Sequence, residues 1–257
     1  MNDTIRSLLE RKSVRVFTDR EISPEEKALI LEAAVQAPTA GNQQLYTILD
    51  ITDPEIKEKL VHTCDEQPFI AQGKLVLIFC ADCLKWYEAF QAVGCEPRDP
   101  GVGDLLLAVN DALIAAQNAV VAAQSLGIGS CYIGDIMENY EAQKALLGLP
   151  QYVFPAAMLV FGFPTEQQLR REKPVRSPMA QIVHENGYRR MDAGELEAML
   201  TVKKSQPDYE KWLQAFCKRK YNSDFSREMT RSVARYLEEF KSLNSKQRYK
   251  PEFEETD

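Results

Sequence analysis

The sequence is poor in histidine and in positive charge. It contains only two histidines, His62 and His184, in 257 residues. A zinc site beside Cys80 and Cys83 would need two more ligands at matching spacing, and the sequence shows neither that pattern nor a Ser-His-Asp constellation. Its 31 lysines and arginines are outnumbered by 38 aspartates and glutamates, which gives a net charge of -7. Because nucleic acids and membrane surfaces are bound through broad basic fields, we expect neither as a partner.

The sequence also lacks an uninterrupted apolar run of membrane-spanning length. The segment nearest to one, Leu105 to Gly127, contains polar residues that would be costly in hydrocarbon, namely Asn110, Asp111, Gln117, Asn118 and Gln124. We interpret it as a buried helix. The start, MNDTIRSLLERKS, shows no signal-peptide pattern. Six cysteines without such a signal predict free thiols in the reducing cytoplasm, with Cys80 and Cys83 as small apolar side chains rather than a redox pair.

Helix and strand patterns alternate over most of the chain. Ser23 and Glu26 form a capping box before a helix that stops ahead of Pro38. Three strands are predicted, at Leu45 to Ile51, at Lys74 to Ala81 and in FPAAMLVFGFP. The glycine-rich GIGSCYIGDI is predicted to break the central helix and form a turn. This order is typical of an α/β or α+β domain.

From about Arg189 onward the sequence is polar and helical in period, without strand signals. We therefore divide the chain into a domain of residues 1–190 and a helical C-terminal arm and tail of residues 191–257, frayed from about Asn244.

The stretch RKSVRVF places three cations within five positions of an acidic chain. In an extended segment alternate side chains share a face, so Arg11, Ser13 and Arg15 would lie side by side, with Lys12 turned away or at the edge. Two guanidinium groups around a hydroxyl suit a phosphate. A solvated strand explains the same stretch, and these residues alone leave both interpretations open.

Other segments bear on that choice. The loop PTAGNQQ removes side-chain bulk at Gly41 and offers amides at Asn42 and Gln44, which suits close approach to a flat ligand. A second basic pair, Lys173 and Arg176, follows the last predicted strand.

Together these segments resemble the nitroreductase family of oxidoreductases that depend on flavin mononucleotide (FMN). The resemblance runs from about Ile5 to Tyr188 and rests on R-x-S-x-R, A-P-[ST]-x-x-N-x-Q, a Y-I-G turn, and a G-x-P turn followed by basic residues. The spacing resembles the larger flavin-reductase-like, NADPH nitroreductase branch. It implies an α+β fold: a three-layer α/β/α sandwich around a mostly antiparallel sheet, with a helical C-terminal extension.

The resemblance also implies which residues bind FMN. The phosphate would be held by Arg11, Lys12, Ser13, Lys173 and Arg176, with Arg15 at the pyrimidine end of the isoalloxazine. The residues implied at the ring are Gln67, Tyr132, Ile133 and Gly134, joined by Thr39, Ala40, Asn42 and Gln44 from the other subunit of a homodimer. Asp135 stands where this branch usually has a second glycine, and an acid there would disfavour the anionic reduced ring.

The function implied is a two-step hydride transfer without a catalytic side chain. NADPH or NADH would reduce the flavin, and a nitroaromatic, a quinone or a free flavin would then be reduced in turn. The alternatives are a specialised enzyme such as a dehalogenase, an FMN store or sensor, and a phosphate-binding module without flavin.

Two further details stay open in the sequence. Lys218, Arg219 and Lys220 would either meet the 2′-phosphate of NADPH or form a solvated helix end, and we favour the helix end. Trp86 and Tyr87 would either line an acceptor pocket or pack in the core, and we favour the core.

Overall fold

A four-stranded sheet with a hydrophobic core on each face organises the chain. The structure, a computed structural model, describes residues 1–203 and 207–241, and the predicted frayed tail from Asn244 lies outside these ranges. The strands within them are β1 (Tyr46–Asp50), β2 (Leu75–Asp82), β3 (Gly129–Ile133) and β4 (Val153–Gly162). Their order across the sheet is β1, β2, β4, β3, and all neighbours are antiparallel.

The helices of the described residues are α1 (Asp3–Glu10), α2 (Pro24–Val35), α3 (Pro54–Thr63), α4 (Phe69–Gln72), α5 (Leu84–Ala92), α6 (Val102–Ser125), α7 (Tyr140–Leu147), α8 (Glu166–Arg170), α9 (Ala193–Thr201), α10 (Tyr209–Lys220) and α11 (Asp224–Glu239). The predicted capping box of α2 is present. Ser23 Oγ accepts a hydrogen bond from the Glu26 amide, and the Glu26 carboxylate accepts one from the Ser23 amide.

The predicted three-layer architecture is confirmed by the way β2 is buried. All its residues are buried, and alternate side chains enter opposite cores. Leu77 and Phe79 pack with residues of α2, α6 and α11, whereas Val76 and Ile78 pack with residues of α3 and α4. Because both faces are covered, the strand sequence is continuously apolar rather than alternating.

Helix α6 has two unlike sides. Its buried side is mostly alanine, at Ala108, Ala112, Ala115, Ala116, Ala119 and Ala123, which lets the helix approach the sheet closely. Its other side exposes large apolar side chains at Leu106, Leu107, Leu113 and Ile114. By length and composition alone α6 would suffice to cross a membrane. Its burial against the sheet is that of the core helix expected from the sequence.

Strand β3 corrects the prediction of a glycine-rich turn at GIGSCYIGDI. A Cβ at Gly129 would lie 2.6 Å from Cγ2 of Val14, and a Cβ at Gly162 would lie 2.6 Å from the Phe17 ring. The glycines are therefore required because the N-terminal segment crosses directly over β3 and β4. The turn itself follows the strand, from Gly134 to Met137.

The last helix of the predicted C-terminal arm packs into the first core. Tyr236 and Phe240 are fully buried there, and Arg231 forms an ion pair with Glu141 of α7 at 2.8 Å. The division of the chain near residue 190 stays a prediction, but α11 shares its core with the sheet.

All six cysteines are free thiols. Burial raises the pKa of both Cys80 and Cys83 to about 12, which makes them poor thiolates at neutral pH. The interpretation of this C-x-x-C as two small apolar side chains is confirmed.

Candidate functional site

The N-terminal segment brings the predicted basic cluster to the end of β3. Ser13 pairs with Ser130 in a parallel bridge, and the Val14 amide donates to the Ser130 carbonyl at 3.0 Å. Further along, Phe17 pairs with Pro164 after β4. These contacts fix the segment over the sheet.

Arg11 is half-buried and has unused hydrogen-bonding capacity. Its guanidinium carbon lies 5.6 Å from the centroid of the Tyr132 ring. Its Nε and Nη2 atoms are buried without a hydrogen-bond partner. Burial lowers the pKa of Arg11, and the charges of Arg176 and Arg15 lower it further. A half-buried cation with unpartnered donors and two cationic neighbours is a candidate anion site, because a bound anion would accept from the free donors and offset the repulsion between the cations.

The two predicted phosphate lysines are bonded to carbonyl groups. Lys12 Nζ donates to the carbonyl of Leu169, at 2.7 Å, and to that of Arg171. Lys173 Nζ donates to the carbonyl of Leu9. Each lysine thus ties the start of the chain to the segment that follows β4, at the carboxyl ends of α1 and α8. Together they keep Arg11 and Arg176 close.

Gln67 is joined to the turn after β3. Its Nε2 donates to the Cys64 carbonyl at 2.8 Å and to Asp135 Oδ2 at 2.6 Å. Of the other predicted ring contacts, Ile133 on β3 points its side chain into the second core, and Gly134 after the strand is exposed. Arg15 lies over the ring of Phe69, 5.9 Å from its centroid.

A buried acid, Glu138, lies below this turn. It is 5% exposed, and its Oε1 has no hydrogen-bond partner. Burial, with the nearby charges of Asp135 and Asp65, raises the pKa of Glu138 to about 8. The group is therefore protonated at neutral pH. The sequence pattern did not indicate that Asp135 and Glu138 interact, because they stand three positions apart in an irregular segment.

The loop of Thr39 to Gln44 lies on α6 and α2, away from Arg11. Asp111 accepts hydrogen bonds from the amides of Ala40, at 2.9 Å, and Leu45, at 3.2 Å. Asp111 of α6 therefore caps this loop within one chain. Gln44 Nε2 donates to the Val35 carbonyl at 3.3 Å.

Beside the loop, α5 and the segment after it enclose a cavity of about 320 Å³. Its apolar lining includes Leu45, Cys83, Trp86, Tyr87, Phe90 and Leu107. Trp86 is 36% exposed and donates from Nε1 to the Gln43 carbonyl at 2.7 Å. The preference for core packing is therefore wrong for Trp86. The sequence analysis also missed α5 itself.

These features find their counterpart in known proteins. The family model described as "Nitroreductase family" matches residues 8–163. The chain belongs to the nitroreductase family. The match includes the Arg11 segment, Gln67 and the turn after β3.

The relatives extend this match along the chain. FMN reductase [NAD(P)H] of Bacillus subtilis is 31% identical over 93% of this chain and 92% of its own length. Oxygen-insensitive NADPH nitroreductase of Salmonella typhimurium is 34% identical over 75% of this chain and 77% of its own length. The structure of NfrA2 of B. megaterium superposes with a TM-score of 0.80 at 31% identity, over 94% of this chain and 98% of that one.

Proposed function

We propose that this protein is an FMN-dependent NAD(P)H oxidoreductase that reduces nitroaromatics, quinones or flavins in two alternating half-reactions. Family, enzyme class and the pair of cofactors, FMN and a nicotinamide nucleotide, were predicted from the sequence and are confirmed by the relatives. The proposal concerns the acceptors, the order of the steps and the residues at the site. The observation that supports it most directly is the pair of buried, unpartnered nitrogens of Arg11.

The residues around Arg11 fit the phosphate of FMN. The buried, unpartnered Nε and Nη2 of its guanidinium supply two donors, and Ser13 and Arg176 stand beside it. A phosphate would restore the hydrogen bonds that burial has removed and neutralise the repulsion from Arg176 and Arg15. Lys12 and Lys173 contribute by holding the two basic segments together, and their charges add to the field.

The protein's part in the reaction is binding and electrostatics. When bound, FMN supplies the hydride chemistry, accepting a hydride from NAD(P)H and passing two electrons to the acceptor. Arg15 would offset negative charge at the pyrimidine end of the ring, and Gln67 would bond its edge. No side chain in this scheme donates or removes a proton.

We also propose that two copies of the chain form the site, because of the exposed apolar side of α6. Leu106, Leu107, Leu113 and Ile114 are between 39% and 59% exposed, and they recur at the spacing of one helix face. A contiguous apolar stripe of this kind marks an interface. The predicted homodimer would bury it.

A two-fold axis near the middle of α6 would complete the flavin site. In one protomer, Leu107 lies at the cavity and the loop of Thr39 to Gln44, while Gln117 accepts a hydrogen bond from the Tyr132 hydroxyl at 3.3 Å. These two positions on α6 are about 15 Å apart along the helix axis. Antiparallel packing of two α6 helices would set the loop of one chain against the Arg11 cluster of the other, as the resemblance implied.

The same packing would place the aromatic cavity beside the partner's flavin. Trp86, Tyr87 and Phe90 then form the wall against which a flat acceptor stacks.

Lys218, Arg219 and Lys220 lie in the last turn of α10, and Arg219 lies over the Phe216 ring. We still favour a solvated helix end over contact with the 2′-phosphate of NADPH as the role of these three residues.

A cytoplasmic location, which six free thiols favour, stays a prediction.

A second candidate function is an FMN store or sensor, and Asp135 is the feature that favours it. A carboxylate beside the ring would disfavour the anionic reduced flavin and slow turnover. The two candidates differ in whether NAD(P)H reduces the bound flavin.

The deciding experiment is a visible spectrum of the purified protein after incubation with FMN and desalting, followed by anaerobic titration with NADPH and with NADH. The oxidoreductase predicts a retained yellow flavin that bleaches with nucleotide and recovers with a quinone. A flavin that stays oxidised would indicate the store. A colourless protein would leave only the phosphate-binding module.

A further inference from the structure

The amide of Gln67 is fixed in one orientation. Its Nε2 carries two hydrogens, and both are used, one on the Cys64 carbonyl at 2.8 Å and one on Asp135 Oδ2 at 2.6 Å. A carbonyl oxygen and a carboxylate oxygen only accept hydrogen bonds, so exchanging the nitrogen and oxygen of Gln67 would set acceptor against acceptor. The remaining capacity of the side chain is the acceptor Oε1.

Glu138 lies beside Asp135 in the turn after β3, and its amide donates to the Asp135 carbonyl at 3.0 Å. Its pKa is raised to about 8, first by burial and then by the charge of Asp135. Glu138 therefore carries a proton at neutral pH, and no second negative charge competes with Asp135 for the Gln67 amide. That leaves Asp135 as an acceptor toward Gln67.

The charges that face Glu138 are mostly negative. Asp65, from the end of α3, and Glu228, from α11, both act to raise its pKa, as does Asp135 in its own turn. Glu228 is paired with Arg231 at 2.8 Å. The nearby thiol of Cys64 has a pKa raised by burial to about 12 and is neutral.

We propose that Asp135 is a positioning residue, which holds the Gln67 amide so that Oε1 accepts a hydrogen bond from the N3–H of the isoalloxazine. The inference rests on the proposed function, since it takes FMN as the ligand. The oxidised ring carries a single N–H, at N3, and a side chain with only an acceptor left recognises that atom. Asp135 stands where this branch usually has a glycine, and holding the Gln67 amide would be the function of its carboxylate.

The test compares FMN with 3-methyl-FMN, in which N3 carries no hydrogen. Dissociation constants are measured by flavin fluorescence with the full chain. The variants are Asp135→Ala, Asp135→Asn and, as a matched control, Glu66→Gln, which neutralises a neighbouring exposed acid that is paired with His62. Wild type is expected to prefer FMN by about tenfold, the value of one hydrogen bond. Asp135→Ala loses most of that preference, and Asp135→Asn, whose Oδ1 still accepts, keeps it.

The pH dependence of the preference for FMN over 3-methyl-FMN is an independent test of the same role. Above about pH 8 Glu138 loses its proton, and the preference of wild type for FMN is expected to fall. Glu138→Gln, whose side chain stays neutral at every pH, keeps the preference across that range. This measurement also decides the matter if Asp135→Ala does not fold.

The outcomes separate the two proposals. Wild type that binds FMN and is bleached by NADPH, but whose preference over 3-methyl-FMN is the same in Asp135→Ala, overturns the positioning role alone, because the discrimination is then steric. Failure of wild type to bind either flavin overturns the proposed function together with this inference. A preference that depends on Asp135 and on pH supports both.

Discussion

The guanidinium of Arg11 faces the ring of Tyr132, 5.6 Å from its centroid, with two of its nitrogens buried and unpartnered. Guanidinium nitrogens buried without partners cost stability, and a bound anion would offset that cost. If Arg11 holds the FMN phosphate as proposed, the free protein is less stable than the complex, and Tyr132 of β3 limits where the guanidinium can go.

Replacing Arg11 by alanine is expected to weaken FMN binding about 10- to 100-fold, since charge-assisted hydrogen bonds to the phosphate are lost. A fluorescence titration measures it. Arg6→Ala is the control, because Arg6 is an exposed residue of α1 that forms an ion pair with Asp3. An unchanged dissociation constant for Arg11→Ala would remove Arg11 from the site.

Replacing Lys12 by methionine is expected to act on stability more than on the flavin. Its ammonium bonds the carbonyls of Leu169 and Arg171, so the free energy of unfolding should fall by about 1–2 kcal/mol. FMN affinity should fall less than in Arg11→Ala. Urea unfolding and the same flavin titration make the comparison, and the opposite ranking would assign Lys12 to the phosphate.

Replacing Glu138 by glutamine is expected to change how stability depends on pH. Folded Glu138 keeps its proton up to about pH 8, whereas its ordinary pKa is 4.5. Between these values the folded state binds more protons than the unfolded state, so the free energy of unfolding decreases as pH rises. The variant should lack this decrease. Urea unfolding at about pH 5 and about pH 9 tests the difference, and parallel profiles for the two proteins would contradict it.

Replacing Trp86 by alanine is expected to impair the second half-reaction. The indole supplies a stacking surface for the acceptor, so KM for a naphthoquinone should rise about tenfold. Anaerobic bleaching by NADPH should be unchanged. Val93→Ala, an exposed residue just beyond α5 that does not line the cavity, is the control. Equal effects on both half-reactions would mean that the variant has altered the fold.

Replacing Leu113 by lysine is expected to break the dimer, because it places a charge in the middle of the exposed stripe of α6. Sedimentation velocity should show the monomer, and FMN affinity should fall since the loop of Thr39 to Gln44 no longer reaches the flavin. Leu169→Lys, at an exposed site outside α6, should remain dimeric. Tight FMN binding by a monomeric Leu113→Lys would show that one chain suffices.

The sequence predicted well wherever one local pattern had one physical meaning. The capping box of Ser23 and Glu26 fixed the start of α2, and the continuous apolar run of β2 indicated a strand covered on both faces. Strand β3 was missed because its glycines resemble a turn, and only the crossing of Val14 over Gly129 explains them.

Side-chain partners within the site were harder to predict. The resemblance placed Lys12 and Lys173 at a phosphate, yet their ammonium groups bond carbonyls from residues more than a hundred positions away. The hydrogen bond between Gln67 and Asp135 likewise joins distant segments. A sequence lists the residue types available for such contacts, and the fold decides which of them meet.

The crossing of the N-terminal segment over β3 and β4 also sets an order of events during synthesis. The cations of RKSVRVF are made first, but Ser13 pairs with Ser130 and Phe17 with Pro164. A chain emerging from the ribosome therefore carries these cations for over half of its length before the strands that orient them exist. Under the proposed function the flavin site would be complete only after Pro164 has been made, and a side chain at Gly129 or Gly162 would obstruct the crossing that builds it.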